Sequence, residues 1–372
     1  MGNKIETTQT ISIVLPTYNE RENITPLIDK LFETIKNNQV EIIIVDDNSS
    51  DGTTDLIRKM MKQDRRINLI HRIDRAGLSS AIKEGVIFAS GEIVAIMDSD
   101  GQHEASAILN AVNALENNYL DIVIGSRFLD KSNINGLSSH RKKGSSLANK
   151  LSRLSLSSRY KHITDYMSGC IVLRRHSCIK FISKVDVNGF KFLYELLSIS
   201  NGLLKIEEIP LIFQPRYHGK SKLDVAILWD FVISLLHTLS LRSIPRRAIS
   251  FGIVGLSGVL VQLLATLLIR NIFLLSFENA LPFAVFTAAT SNYLINNTLT
   301  FRNQRLKNWR LVKGLLKFLI VASLPLIASV GLATGVHNIL NMNSFWSQIS
   351  GILVVFVWNY IASSKFVWNT PS

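Results

Sequence analysis

The sequence is poor in cysteine and lacks the motifs that mark a zinc site or a dinucleotide-binding fold. Only Cys170 and Cys178 occur among 372 residues, too few for a disulfide framework or a zinc site. No G-x-G-x-x-G follows a predicted strand, which disfavours dinucleotide binding. The first ten residues are polar and lack the apolar core of a signal peptide. We therefore expect reduced, buried thiols and an N-terminal domain that stays in the cytoplasm.

Acidic residues are outnumbered by basic ones. The chain has 41 Lys and Arg against 28 Asp and Glu, a formal charge of +13. In a chain with long apolar runs, such an excess is typical of cytoplasmic loops beside anionic lipid headgroups. Nucleic acid is the rival partner, but no nucleic-acid-binding motif is present. The composition therefore favours a lipid bilayer as partner and no nucleic acid.

Long apolar runs are confined to the C-terminal third of the chain. We predict a soluble domain over residues 1–222 and an amphipathic interfacial segment over 223–245. A transmembrane domain is predicted over 246–372, because four stretches each approach the ~20 residues that cross a bilayer. These four predicted helices are 248–269, 281–301, 315–336 and 345–368.

The connections between the predicted spans differ in charge. The segment before the first span and the central loop 302–313 are rich in Lys and Arg, whereas the connection 337–344 has neither. Positive-inside counting places the N-terminal domain, the central loop and both termini in the cytoplasm. The prediction is a multi-pass integral membrane protein.

Short apolar runs alternate with helical patterns in the N-terminal domain. Val40–Val45 and Ile93–Met97 have the apolar character of buried strands, and Ala105–Asn117 has helical periodicity. This alternation predicts an α/β fold with a mostly parallel central sheet covered by helices on both faces.

Acidic side chains follow one of these strands directly. Asp98 and Asp100 lie one residue apart after Met97, with the amide of Gln102 close by. The carboxyl ends of parallel strands open onto the ligand crevice of such a sheet. Hard oxygen ligands of this kind suit Mg²⁺ or Mn²⁺ carrying a diphosphate. A solvated turn is the ordinary alternative for a single pair of acids.

Two further polar loops follow other strands and are expected at the same edge. Pro16–Glu20 follows the first strand, and Asp46–Thr53 follows the second. Asp47 could accept hydrogen bonds from the base or ribose of a nucleotide. Side chains of these types also commonly cap the helices that follow. Because three polar strand ends coincide, we favour a sugar-nucleotide site.

In order along the chain, these motifs resemble those of the polyprenol-phosphate (dolichol-phosphate) mannose and glucose synthases of glycosyltransferase family 2, which have the GT-A fold. The resemblance covers about residues 11–222. The segments that carry it are LPTYNERENI at 15–24, VDDNSSDGT at 45–53, HR at 71–72 with GL at 77–78, MDSDGQH at 97–103, GSR at 125–127, DYMSG at 165–169, GFKFLYE at 189–195 and PRYHGKSK at 215–222. Asn48, Gly101 and Lys220 depart from the usual pattern without removing a group that the chemistry needs.

The resemblance implies a role for particular residues. The divalent metal, Mg²⁺ or Mn²⁺, and the donor diphosphate would be held by Asp98, Asp100 and Gln102. The nucleotide pocket would be lined by Pro16, Tyr18, Glu20 and Asp47. The phosphate of the lipid acceptor would be bound by Arg127, Arg141 and Ser145. The donor would be closed over by Arg216 and Lys222. Catalysis would rest on Asp98, Asp100, Arg127 and Arg216. Asp165 and Glu195 would either orient the sugar hydroxyls or pair with Arg and Lys.

A basic helix predicted over 143–160 carries Leu147, Leu151 and Leu154 on one face. Lys and Arg surround these leucines, which suits the surface of an anionic membrane, although a helix packed on its own domain is the alternative. The predicted spans are flanked by Lys and Arg, and the second is rich in asparagine and ends in Thr300-Phe301. In these features the transmembrane region resembles the GtrA-like four-helix proteins. That resemblance implies dimerisation of the chain, substrate presentation or lipid movement, and selects none of them.

The resemblance implies inverting transfer of a hexose to a membrane polyprenyl or dolichyl phosphate. Mannose from GDP-mannose is preferred, because fused four-helix domains occur among mannosyl members, and glucose from UDP-glucose is the alternative. A processive polysaccharide synthase would require a Q-x-x-R-W motif, which the sequence lacks. A non-catalytic lipid flippase or scaffold would predict loss of the acidic or basic clusters, and all of these are present.

Overall fold

The computed structural model describes residues 10–36, 40–73, 77–129, 139–186, 191–212, 225–323 and 344–368. Its contacts divide the chain into two compact units, one ending at Leu239 and one beginning at Ser240. The division lies inside the segment predicted as an interfacial linker. Each unit is described separately below.

Seven strands form one sheet in the first unit. They are β1 (Ile11–Thr17), β2 (Val40–Asp46), β3 (Ile67–His71), β4 (Ile93–Ile96), β5 (Ile122–Ser126), β6 (Ile171–Arg174) and β7 (Ile206–Pro210). Their spatial order is β3-β2-β1-β4-β6-β5-β7. Only β6 runs antiparallel to its neighbours in this sheet, and the other pairs are parallel. The mostly parallel α/β fold expected from the sequence is therefore confirmed.

Helices cover both faces of the sheet. They are α1 (Arg21–Thr34), α2 (Thr53–Gln63), α3 (Leu78–Phe88), α4 (Ala105–Asn117), α5 (Ser139–Ser155), α6 (Arg175–Ile182), α7 (Phe192–Ser200) and α8 (Val225–Leu239). Side chains alternate along each strand, so β1 sends Val14 into one core with α3 and α7, and Ile13 into the other with α1 and α4. The strands are apolar on both sides because both faces are covered.

The helix α8 is the last element of the first unit and packs against its other helices. Phe231 is buried and meets Tyr194 of α7 edge-to-face, with ring centroids 6.2 Å apart. The hydroxyls of Ser198 and Thr238 lie 3.0 Å apart, and α8 also contacts α5. Most of the segment predicted over 223–245 is therefore a helix with one face against the α/β domain.

The second unit is helical. Its helices are α9 (Arg246–Phe273), α10 (Phe277–Ile295), α11 (described over 308–323) and α12 (Ser344–Ala362), which overlap the four predicted spans. Among the described residues, α9 is the one helix long and apolar enough to cross a bilayer. A Cβ on Gly258 of α9 would lie 2.6 Å from Oδ1 of Asn292, so this glycine lets α9 approach α10 closely.

Asn297 links the segment after α10 to the C-terminal residues of the second unit. Its side chain donates to the carbonyl of Leu306 at 3.1 Å and accepts from the amide of Leu306 at 2.8 Å. It also accepts from Nε1 of Trp368 at 3.1 Å, and the Trp368 ring stacks on Phe301 at 4.1 Å. The role of this buried asparagine is therefore one of helix packing.

Gly85 marks a close approach of α3 to the sheet. A Cβ there would collide with Cγ1 of Val14 and lie 3.0 Å from Cγ2 of Val45. Overpacking of this kind costs about 1–3 kcal/mol. We expect Gly85→Ala to lower the melting temperature of the full chain in detergent by about 2–10 °C. Gly144→Ala is the control, because its Cβ would have no atom within 4 Å. Equal melting temperatures for the two variants would contradict this packing.

Candidate active site

A cavity of about 970 Å³ lies at the C-terminal ends of β1, β2 and β4. Eight of the residues singled out in the sequence line it, namely Pro16, Tyr18, Glu20, Asp47, Asp98, Asp100, Gln102 and Arg127. They come from four separate stretches of chain. The structure thus brings together the polar strand ends that the sequence predicted to meet.

The other predicted site residues lie elsewhere or outside the described residues. Ser145 is half-buried on α5 and does not line the cavity. Asp165 and Glu195 are fully buried and are also absent from the lining. Arg216, Lys222 and the side chain of Arg141 fall outside the part of the chain that the structure describes.

The acid pair is set by the end of β4 and a tight turn. Asp98 is half-buried and Asp100 is 6% exposed. Gly101 has a φ of +74°, a conformation that favours glycine, and the amide of Gln102 then donates to Oδ1 of Asp100 at 3.1 Å. The turn therefore accounts for a glycine after the second aspartate.

The backbone of Gly169 packs closely against the carboxylate of Asp98. A Cβ on Gly169 would collide with Oδ2 of Asp98 and lie 2.7 Å from its Cγ. Gly169 belongs to the loop that enters β6. The absence of a side chain at this position is what leaves room for the carboxylate.

A metal site built from protein side chains alone is not present in the described part of the chain. No group of three or more His, Cys, Asp or Glu side chains there could hold an ion. Mg²⁺, however, is commonly held by one or two carboxylates together with substrate phosphates and waters. Asp98 and Asp100 fit that second arrangement, because both line a cavity large enough for a nucleotide.

Two loops of the cavity are tied to each other by polar side chains. The amide of Asn19 donates to Oγ of Ser49 at 2.8 Å, and the amide of Ser50 donates to Oδ1 of Asn19 at 2.9 Å. Asn19 and Asn48 both have φ near +60°, which asparagine tolerates better than most residues. Asn48 can therefore replace the glycine that is commoner in the family. Polar side chains here therefore fix the two loops relative to each other.

Asp47 is half-buried and belongs to an electrostatic network around the buried Arg72. Its Oδ2 accepts from the amide of Gly77 at 2.7 Å, and its Oδ1 lies 3.2 Å from Nη1 of Arg72. Burial raises the pKa of Asp47, while the Gly77 amide and Arg72 act in the opposite direction. Arg72 also pairs with Glu84 at 3.3 Å and hydrogen-bonds Ser80. Arg72 therefore both neutralises and orients Asp47.

Arg127 follows β5 and is held by Asp165. Nε and Nη2 donate to the two oxygens of Asp165 at 2.7 and 2.9 Å, and the Arg127 amide donates at 3.2 Å. Burial alone would lower the pKa of Arg127, but the charge and hydrogen bonds of Asp165 outweigh it, so this pKa is raised. The guanidinium stays charged beside the cavity. Asp165 is thus paired with arginine, one of the two alternatives left open by the sequence.

Sequence reasoning gave no role to Arg72, His103 or Lys191. His103 and Lys191 line the cavity and belong to quoted motifs. Burial lowers the pKa of His103 against the raising effect of Asp98 and Asp100, which favours a neutral imidazole. The sequence did contain a signal for Arg72, because this residue directly follows the strand β3, just as the other site residues directly follow their strands. Its burial and pairing depend on the fold.

The sheet, the crevice and the acid pair define an α/β domain with a polar cavity at the carboxyl edge of its sheet, and comparisons with known proteins agree with this fold class. A model described as glycosyl transferase family 2 matches residues 12–181, and one described as the GtrA/DPMS transmembrane domain matches residues 250–368. The chain is 29% identical to a dolichol-phosphate mannosyltransferase of Pyrococcus furiosus, over 97% of this chain and 99% of that one.

Two more similarities cover smaller shares of the chain. A dolichol-phosphate mannosyltransferase of Mycosarcoma maydis is 30% identical over 71% of this chain and 87% of its own. A crystal structure of glucosyl-3-phosphoglycerate synthase from Mycobacterium tuberculosis, with Mn²⁺, UDP and glucosyl-3-phosphoglycerate, has 20% identity and a TM-score of 0.47. That match covers 63% of this chain and 81% of the other.

The chain belongs to glycosyl transferase family 2, and its C-terminal part is a transmembrane domain of the GtrA/DPMS type. Both resemblances drawn from the sequence are thereby confirmed.

Arg72 is expected to control nucleotide affinity through Asp47. In Arg72→Met, the half-buried carboxylates of Asp47 and Glu84 lose their shared cation, and each moves toward its neutral form. We expect the affinity of the full chain for a nucleoside diphosphate, measured by calorimetry in detergent, to fall about tenfold, or ~1.4 kcal/mol.

Arg58→Met is the matched control, because it breaks an exposed pair with Asp55 at 3.3 Å. Exposed pairs contribute little, so affinity should be unchanged. Arg72→Lys keeps the charge, so its affinity for the nucleoside diphosphate should lie between those of Arg72→Met and Arg58→Met. A folded Arg72→Met variant with wild-type affinity would refute this role.

Proposed function

We propose that this protein transfers mannose from GDP-mannose to the phosphate of a membrane polyprenol or dolichol phosphate, with inversion at the anomeric carbon. The products are the lipid-phosphate mannose and GDP. The observation that carries the proposal is the convergence of an acid pair and a charged arginine on one cavity. Similarity to a dolichol-phosphate mannosyltransferase over 97% of the chain supports the choice of sugar and acceptor.

Donor binding is assigned to the side of the cavity formed by β1, β2 and β4. Asp47, with Pro16, Tyr18 and Glu20, would contact the nucleoside. Tyr18 is 47% exposed and so can stack on a ligand without rearranging the core. Asp98, Asp100 and Gln102 would hold a divalent cation, Mg²⁺ or Mn²⁺, against the donor diphosphate. When bound, such a cation neutralises the charge that develops on the leaving diphosphate.

The acceptor phosphate is assigned to Arg127. Its guanidinium is charged and its plane is fixed by Asp165, which suits bonding to two phosphate oxygens. Arg141 and Ser145 of α5 would bind the same phosphate, and Arg216 and Lys222 would close over the donor. Two anionic substrates need cations on more than one side of the site.

The chemistry follows from the acceptor. A lipid phosphate is anionic near pH 7, so one of its oxygens can attack the anomeric carbon without a strong general base. The new carbon–oxygen bond forms as the bond to the diphosphate breaks, and the electron pair leaves with the nucleoside diphosphate. A single in-line displacement of this kind inverts the anomeric centre. A neutral His103 and a charged Arg127 are compatible with it.

The surface of α5 and α8 is proposed to meet the bilayer. Leu147 and Leu154 of α5 are 59% and 70% exposed, and Leu228 and Leu239 of α8 are 57% and 55% exposed. The basic side chains of α5, such as Lys150, are exposed as well. Exposed leucines with basic neighbours suit an anionic membrane interface. Ser145 lies on α5 too, so this surface could deliver the lipid phosphate to the site.

The transfer reaction tests the proposal directly. Full-length protein in detergent is given a short polyprenyl phosphate, Mn²⁺ or Mg²⁺, and radiolabelled GDP-mannose or UDP-glucose in separate reactions. We expect label in the lipid phase from GDP-mannose alone. Asp100→Asn, which weakens the metal-diphosphate contact, should lower the rate at least about 100-fold.

Asp55→Asn removes an exposed carboxylate and should leave the rate unchanged. Chelation with EDTA should abolish transfer in the wild type. Label from UDP-glucose alone would replace the sugar in the proposal. Lipid product at the wild-type rate from Asp100→Asn, or in the presence of EDTA, would overturn the metal assignment. The absence of lipid product from both donors would overturn the proposed transferase activity.

We further propose that the chain crosses the membrane four times, with both termini and the loop between α10 and α11 in the cytoplasm. The support is the run of basic residues in that loop, where Lys307 is exposed. The connection between α9 and α10, at Leu274, would then face the opposite side.

Cysteine labelling tests this orientation. The native Cys170 and Cys178 are buried, and burial raises the pKa of Cys170 to about 12, so their reaction with a maleimide should be slow. In sealed inside-out vesicles, an impermeant maleimide should label Lys307→Cys and not Leu274→Cys, which is 89% exposed as leucine. The reverse pattern would invert the proposed orientation.

A further inference from the structure

The position of Arg127 depends on the turn formed by Thr164 and Asp165, which lies outside the helices and strands. Asp165 lies in the loop before β6, and its carboxylate holds Nε, Nη2 and the backbone amide of Arg127. Because a fork of two parallel hydrogen bonds fixes the plane of the guanidinium, a shift of Asp165 would move Arg127 with it.

Glu208 fixes this turn from the edge of the sheet. It lies on β7, the last strand in the spatial order, in register with Ile124 of β5. Its Oε1 accepts from the amide of Asp165 at 2.9 Å. Its Oε2 accepts from the amide and the hydroxyl of Thr164 at 2.8 and 2.9 Å. One carboxylate thus receives three donors from two consecutive residues.

The same turn is linked to the strand that carries Arg127. The hydroxyl of Thr164 lies 2.7 Å from the hydroxyl of Ser126, the last residue of β5. Oγ of Ser126 accepts from the amide of Phe128 at 3.2 Å. The residues on both sides of Arg127 and its ion-pair partner therefore belong to one hydrogen-bonded unit with Glu208.

We propose that Glu208 is a positioning residue for acceptor binding, because it anchors the Thr164–Asp165 turn and through Asp165 sets the guanidinium of Arg127 at the cavity. The inference rests on the proposed function, in which Arg127 binds the lipid phosphate. Glu208 touches neither the cavity nor a substrate, and it acts through the turn.

The change Glu208→Gln tests the inference. A glutamine has one carbonyl oxygen and one NH₂ group, so at least one of the three donors would face another donor. We expect the KM for the polyprenyl phosphate to rise about tenfold. The KM for the sugar nucleotide should change less than about twofold, because Asp47 and Asp98 are held by other strands.

Glu207→Gln is the matched control on the same strand. Its side chain points to the other face of the sheet and accepts from Nδ2 of Asn118 at 3.0 Å. It removes the same charge one residue away and should leave both KM values unchanged. Thr164→Val, which removes only the hydroxyl bonds, should shift the acceptor KM in the same direction by less, and it serves if Glu208→Gln does not fold.

A double-mutant cycle separates this role from a general loss of structure. In an Arg127→Lys background the planar fork is gone, so Glu208→Gln should add little to the acceptor KM. Equal effects of Glu208→Gln in both backgrounds, equal shifts in both KM values, or a result identical to Glu207→Gln would overturn the inference. An inactive wild type would overturn the proposed function instead.

Discussion

The pairing of β6 antiparallel between β4 and β5 is the constraint on which the site depends. A parallel strand would bring its C-terminal end to the cavity, but β6 brings the loop that precedes it. That loop carries Gly169, which packs against Asp98, and Asp165, which holds Arg127. The reversed direction of β6 thus brings one loop into contact with both Asp98 and Arg127.

Charge at the cavity is controlled by pairing with buried partners. Asp47 is held by Arg72, and Arg127 is held by Asp165, each at the end of a different strand. Breaking such a pair leaves an uncompensated buried charge, which costs far more than the loss of a surface pair. Asp165 raises the pKa of Arg127 and fixes the plane of its guanidinium, so this side chain is charged and oriented before any substrate arrives. A side chain that is already oriented loses less conformational freedom on binding.

Many polar residues near the cavity hold its loops in place. Asn19 and Ser49 tie two strand-end loops together, and Glu208 ties a third loop to the edge strand. In the helical unit, Asn297 does the same for Leu306 and Trp368. A polar residue beside a proposed site is therefore weak evidence of contact with substrate unless its partners are known.

The motifs of the sequence by themselves determined the family. The sequence also determined the alternation of strands and helices and the meeting of Asp47 and Asp98 at one edge of the sheet. These follow from local periodicity and from the rule that parallel strands end at the same edge. Only the tertiary structure decided the direction of β6, the burial of Asp165 and the part played by Glu208. The contacts of Asp165 with Arg127 and of Glu208 with Thr164 join residues 38 and 44 positions apart, and no local pattern encodes which side chain will face which.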